Sequence, residues 1–442
     1  MAALLNDSSS WPLSAVGASS SWLQSTGHFL SADLKFPSMW ITRDAVPYVS
    51  SVVLAYLLLV RVLRFRRINK LQQRFSLASM TDEEAWEIQK VMAQLEFPFL
   101  YEKSLQFALF RTYGIPTISK TLTKTQQFAN AQFSFKRYAD TVVLIGEFTA
   151  HHPTSTRAQT AIARTNYIHS QYRQSGAILP EDMLYTLSLF ATEPIRFIDQ
   201  YEWRQATDVE RCAMGVFWKS IGDAMDIDYS DYLPSAASGF RDGIHWLEEI
   251  TAWAQEYEKK AMVPAQTNRD TADQTTAVLT YVLPPKLKFL GEWFVSYMMD
   301  DRLRKAMLYE PAPALSQLFF AGTLALRRLT LRHLSLPRPY FLRVENYTED
   351  PDPKTKTYYM LNWSAQPYYI KPTLWNRWLS PSALFFRILG LPVPGDEGDK
   401  YSPSGYHLDN VGPRRFENKG QDFMEKQMKD LKGMRKGGCP FH

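Results

Sequence analysis

From Ala45 to Val60 the chain carries no charged residue, and the apolar run continues through Val62, Leu63 and Phe65 once Arg61 reaches toward lipid headgroups. About 20 such residues are what a helix needs to cross ~30 Å of hydrocarbon, so the pattern predicts a membrane-spanning helix over 45–65. Pro47 suits its first turn, where the missing N–H removes no helical bond. Further along, apolar residues recur at spacings of three and four. Gly and Pro punctuate them at Gly114-Ile-Pro116, His152-Pro153, Leu179-Pro180, Glu193-Pro194, Leu233-Pro234 and Pro284-Pro285. This predicts a helical domain over 66–336. From Pro337 the sequence turns rich in Pro, Tyr and Trp, as in Ala365-Gln-Pro-Tyr-Tyr-Ile-Lys-Pro372, which predicts a loop-rich extension with a basic tail over 337–442. Within it, Glu417 to Lys436 has the spacing of a surface helix. The fold class expected is all-α, with a single N-terminal transmembrane helix, a mostly helical domain and a loop-rich C-terminal extension.

Charge adds orientation. Arg61, Arg64, Arg66, Arg67 and Lys70 follow the apolar run, whereas Lys35 and Arg43 before it are offset by Asp33 and Asp44. The positive-inside bias places the large C-terminal part in the cytosol and residues 1–44 in the lumen, where the sequon at Asn6 is open to glycosylation. Those at Asn346 and Asn362 are expected to stay bare. A net charge of +5 over 442 residues is too small and too local to imply nucleic-acid binding. Two cysteines, Cys212 and Cys439, build neither a disulfide framework nor a thiolate metal cage. The absence of GxGxxG, P-loop and GxSxG patterns removes support for Rossmann hydride transfer, ATP chemistry and serine hydrolysis.

Two helical segments place polar groups within apolar stripes. In the first, about 126–148, Arg137, Asp140 and Thr141 fall at i, i+3 and i+4 beside Phe133, Leu144 and Phe148. Polar groups so placed either pair with one another in a buried, Asp140-centred network or serve a ligand. In the second, 157–173, His169 shares a face with Ala161, Ile162, Thr165 and Tyr172, neighbours slim enough for a flat macrocycle to approach. A neutral imidazole there can ligate iron, or it can be a hydrogen-bonded core residue. Another arrangement joins His169, His245 and Asp140 as two histidines and a carboxylate around non-haem iron. Gly438-Cys439-Pro440 lacks the Phe-Gly-Arg-Cys surroundings of a thiolate haem site and sits in a tail expected to be mobile. The aspartates at 223, 226, 228 and 231 are not spaced as a diphosphate-metal motif and read as caps and turns.

The motifs Phe110-Arg-Thr-Tyr-Gly-Ile-Pro116, Arg137-Tyr-Ala-Asp-Thr141, Ala161-Ile-Ala-Arg-Thr-Asn-Tyr-Ile-His169, Leu187-Ser-Leu-Phe-Ala-Thr-Glu-Pro-Ile-Arg196 and Phe217-Trp-Lys-Ser-Ile-Gly-Asp-Ala-Met225 resemble those of MpaB-type membrane-bound oxygenases of fungal secondary metabolism. They are similar, more sparsely, to bacterial latex-clearing rubber oxygenases. The resemblance implies a b-type haem with His169 as its iron ligand, beside which helical spacing sets Thr165 and Tyr172; it places Arg137 and Thr141 at the catalytic centre, where Asp140 would join them in orienting or protonating oxygen. The rubber enzymes hold a lysine just before that threonine, where this chain has Asp140, so a distal lysine ligand is absent and an acid takes its place.

The function so implied is a haem-dependent oxygenase on the endoplasmic reticulum membrane. Its partners are dioxygen, the bilayer and a lipophilic isoprenoid or polyketide intermediate, attacked at a carbon–carbon double bond. The alternatives are a non-haem iron oxygenase and a metal-free, membrane-tethered binding protein.

Overall fold

The computed structural model describes residues 45–124 and 131–441. It begins with helix α1 (Ala45–Arg74), whose thirty residues, at 1.5 Å rise each, extend about 45 Å and run past the predicted span. Val46, Tyr48, Val52 and Leu54 are exposed along its apolar part, and only Val60, Arg64 and Ile68 of the whole helix are buried. The chain divides within α1 into units 1–56 and 57–442. In the larger unit the three buried residues recur every fourth position, so they form one stripe that packs on the domain.

α2 (Asp82–Val91) starts on a capping box in which Thr81 and Glu84 exchange side-chain and backbone hydrogen bonds. α3 (Pro98–Thr112), α4 (Pro116–Lys124) and α7 (Pro180–Tyr201) each open on a proline, which suits a first turn. α5 (Ala131–Ala150) and α6 (Thr156–Gln174) are joined by the His151-His152-Pro153 turn and packed side by side. α8 (Asp208–Ala224), α9 (Gly243–Ala261), α10 (Gln266–Leu279), α11 (Lys288–Met298), α12 (Asp301–Ala306) and α13 (Ala314–His333) complete the helical domain. No named strand forms among the described residues; isolated bridges such as Tyr358 with Tyr406 are all the extension contributes. The extension carries two further helices, α14 (Pro381–Ile388) and α15 (Gln421–Met434). The all-α expectation and the single apolar N-terminal helix are both met.

One apolar core runs from Phe75 to Leu431, so Tyr368, Tyr369, Tyr406, Met424 and Leu431 of the extension are buried with the helical domain. A close crossing joins α8 and α9. A Cβ on Gly215 would lie 2.0 Å from the Gly243 carbonyl oxygen, and one on Gly243 would lie 2.2 Å from that of Cys212. Only two glycines let these backbones meet.

Pro194 departs from the expected punctuation. It lies buried inside a continuous α7, and packing against α3, α8 and α9 offsets the helical hydrogen bond that the ring removes. The C-terminal tail is also tied down: Asp82 N–H donates to the Gly438 carbonyl at 2.8 Å, and the buried Arg435 guanidinium meets the Asp82 carboxylate at 3.1 Å.

Candidate active site

α5 and α6 carry the residues singled out from the sequence. Asp140 is buried on α5 and accepts hydrogen bonds from Lys136 at 2.9 Å and from the Tyr369 hydroxyl at 2.6 Å. Burial pushes its carboxyl above the usual range, against the lowering pull of Lys136 and Tyr369. The Asp140-centred network is therefore the arrangement adopted. Its partner from outside the helix comes from the extension, which the sequence motif does not include.

Two turns further along α5, Glu147 repeats the device. It receives both the Nε and NH2 groups of Arg157 on α6, at 2.5 and 2.7 Å, and the hydroxyl of Tyr406 from the extension. Arg157 also donates to the carbonyls of Thr348 and Glu349. Arg164, fully buried on α6, donates to the carbonyls of Val411, Phe416 and Lys419 at 2.8–2.9 Å. Glu147, Arg157 and Arg164 are structural residues that the sequence reading did not select. A signal existed, since Arg164 lies in an otherwise small and apolar helical face, where a charge must find partners.

His169 lies half-buried near the end of α6. Its Nδ1 is shielded from solvent and has no hydrogen-bond partner among the described residues. Burial, reinforced by the positive charges of Arg137 and Arg173, pushes the imidazole down to about 4, so the ring is neutral at physiological pH. Arg137 is also half-buried; burial lowers its pKa, against the raising pull of the nearby Asp140. Thr141 lies half-buried one helical turn beyond Arg137. Thr165 donates its hydroxyl to the Ala161 carbonyl at 2.8 Å, so that group is satisfied within the helix. Tyr172 packs its ring against Phe416 and lies under the Arg415 guanidinium, 4.8 Å from the ring centre, which brings the extension over the end of α6. Ala161 and Ile162 are fully buried in the core, so that part of the expected open strip is filled by protein.

The two-histidine, one-carboxylate arrangement is not assembled, and no group of three or more His, Cys, Asp or Glu side chains is placed to hold a metal among the described residues. His245 meets Glu249 at 3.1 Å at the start of α9, and Asp140 is engaged by Lys136 and Tyr369. The aspartates after α8 behave as caps and turn formers: Asp223 pairs with Lys219 at 2.7 Å, and Asp228 accepts from the Ser230 N–H at 2.9 Å. Asn6 lies outside the described residues.

A cavity of about 610 Å³ opens on the face of α5 away from Arg137, with Thr141 at its border between Tyr138 and Ile145. Phe135, Tyr138, Ala139, Val142, Ile145 and Gly146 supply one wall, and residues of α2, α3 and the extension supply the rest. His169 is not among its lining residues. The lining is mostly apolar and aromatic, as a pocket for a lipophilic molecule requires. Gly146 keeps it open at one point, because a Cβ there would overlap the Tyr347 hydroxyl, which donates to the Val142 carbonyl at 2.9 Å.

No protein-family profile matches the chain. Curated relatives do. It is 53% identical over 404 residues to ER-bound oxygenase mpaB' of Penicillium brevicompactum, covering 90% of this chain and 95% of that protein. It is 49% identical over 367 residues to ER-bound oxygenase mpaB of the same organism, covering 81% and 86%. With ER-bound oxygenase mpaB of Penicillium roqueforti it shares 58% identity over 268 residues, or 59% and 90%. Near-full coverage at half identity, on an all-helical fold with one apolar N-terminal helix, leaves one assignment: the chain belongs to the ER-bound oxygenase mpaB family.

Proposed function

We propose that this membrane-bound oxygenase is haem-dependent, with His169 as the iron ligand, and that it cleaves a carbon–carbon double bond of a lipophilic isoprenoid or polyketide intermediate of fungal secondary metabolism. The observation that carries the reading is the His169 ring: a neutral imidazole with a buried nitrogen that no described residue satisfies. An orphaned polar atom of this kind is costly to bury and is relieved by a ligand. Neutrality is also the state an imidazole must be in to donate a lone pair to a metal.

Haem, when bound, supplies the activation of dioxygen. The protein's own residues supply the rest. Arg137, close enough to press electrostatically on His169, presents a fixed positive charge to an anionic or strongly polarised oxygen. Thr141 offers a hydroxyl on the same face of α5. Asp140 holds its proton or charge between Lys136 and Tyr369 and so fixes the helix that carries both groups. The 610 Å³ cavity, bordered on α5 by the face next to Thr141, receives the apolar body of the substrate and excludes water from it. Cleavage of C=C by one O2 gives two carbonyls, with both oxygen atoms retained in the products and no external reductant consumed. The catalytic domain faces the cytosol on this reading, which the positive-inside bias of the basic residues after the apolar span supports.

The test is the absorption spectrum of detergent-solubilised protein. A Soret band that is present in the wild type and lost in His169→Ala, with helicity unchanged by circular dichroism, is the expected result. Wild-type protein that converts substrate while lacking porphyrin, or a band undiminished in His169→Ala, overturns it.

A further inference from the structure

α13 is a 20-residue helix of which only Phe320 is buried. Its inner side is made by Phe320, Leu324, Arg327 and Leu331, which face α7 and α11; Arg327 pairs with Glu202 at 2.8 Å, and Phe320 packs on Phe294. The opposite side is a continuous apolar stripe of Leu315, Leu318, Phe319, Leu326 and Leu329, from 56% to 80% exposed. The spacing is that of one helical face. The chain that follows extends it with Leu334, Leu336, Tyr340, Phe341 and Leu342, and Phe341 is 79% exposed. Left in water, so large a contiguous patch would drive aggregation.

What covers it is indicated by α1. Arg64 donates to the Ser335 carbonyl at 2.9 Å, and Arg67 donates to that of Arg338 at 2.7 Å. The basic end of the membrane helix is thus bonded to the segment that joins α13 to Tyr340–Leu342. Phe65 packs edge-on to Trp203, whose carbonyl accepts from Arg332 of α13, so the two helices also share a footing in the core. Arg61 to Arg67 mark the headgroup level of the span, and an apolar surface fastened there lies at the bilayer boundary. Arg328, Arg332 and His333 flank the stripe at its C-terminal end, as expected of a helix that lies in an interface and meets anionic headgroups.

We propose that α13 and the Tyr340–Leu342 segment form a second membrane attachment, a monotopic face that sinks into the same leaflet α1 enters. The 610 Å³ cavity opens beside this face. Phe99, exposed and part of its lining, lies under the Arg327 guanidinium, and Val344 lines it two residues beyond Leu342. A lipophilic substrate would then pass from acyl chains into the cavity without crossing water. This inference rests on membrane attachment and is independent of the metal.

The experiment uses the full chain in phosphatidylcholine–phosphatidylserine vesicles. In a Cys439→Ser background, with Cys212 buried, Phe319→Cys, Phe341→Cys and the exposed Lys426→Cys of α15 are each labelled with an environment-sensitive fluorophore. Lipids bearing a nitroxide near the headgroup are expected to quench the labels at 319 and 341 several-fold more than the label at 426, and aqueous iodide to do the reverse. Equal quenching at all three sites overturns the proposal. So does shielding from both agents together with a doubled particle mass, which assigns the face to a second copy. All three positions are solvent-exposed, and an unchanged melting temperature confirms that the labelled proteins are folded.

Discussion

The Tyr369 hydroxyl donates to Asp140 Oδ1 at 2.6 Å across 229 residues of sequence. It joins the extension to the helix that bears Arg137 and Thr141, and Tyr406 makes the same kind of link to Glu147 two turns later. Two buried carboxylates on one helix, each bonded by a tyrosine from the extension, make the C-terminal hundred residues part of the scaffold that holds α5.

Replacing Tyr369 with Phe removes one donor from Asp140 and leaves the Lys136 ammonium in place. A hydrogen bond to a charged group contributes about 1.5–3 kcal/mol. We expect a loss of that size in urea denaturation. A Tyr369→Phe protein as stable as the wild type contradicts the network.

Arg164→Met strips donors from three carbonyls of the segment 411–419. With about 1 kcal/mol or more lost for each buried group left unsatisfied, destabilisation on the order of 3 kcal/mol follows. Hydrogen exchange should rise first in 408–420, while α8 and α9 stay protected. Uniform deprotection would show that Arg164 holds the whole core rather than the extension.

The pH dependence of stability has a definite sign at His169. Its pKa falls from 6.5 to about 4 on folding. Between these values the unfolded chain binds a proton that the folded chain refuses, so stability falls as pH drops from 6.5 toward 4. In His169→Gln the slope of unfolding free energy against pH over that window should be shallower. Identical slopes would place the depressed imidazole elsewhere.

At the α8–α9 crossing, Gly215→Ala sets a methyl 2.0 Å from a backbone oxygen that has no room to move. Overpacking of this kind costs about 3 kcal/mol and shifts backbones apart. The melting temperature should drop accordingly, and Gly243→Ala should do the same from the other side.

Filling the cavity gives a functional test. Ala139→Trp projects into the 610 Å³ space from α5, on the face away from Arg137. It should weaken the binding of an apolar dye and slow turnover of a lipophilic substrate, while the absorption spectrum stays that of the wild type. A changed spectrum together with weakened dye binding would mean that the cavity and the iron ligand share one space.

The sequence by itself determined the all-helical class, the apolar span and the family. Each of these is written in local periodicity or in contiguous motifs: a charge-free run, three-and-four spacing, and strings such as Ala161 to His169. It also exposed the conflict at Asp140, a carboxylate in an apolar stripe, without naming what resolves it. Tertiary structure decided the partners, because Tyr369, Tyr406 and the carbonyls of 411–419 meet α5 and α6 only when distant segments fold back. It made Arg64 and Arg67 docking residues as well as charges beside a membrane, kept α7 whole through Pro194, and left His169, His245 and Asp140 apart. Periodicity states which face of a helix is apolar, but what that face meets is set by packing. The outer stripe of α13 reads in sequence as core, and only the fold leaves it uncovered beside the basic end of α1.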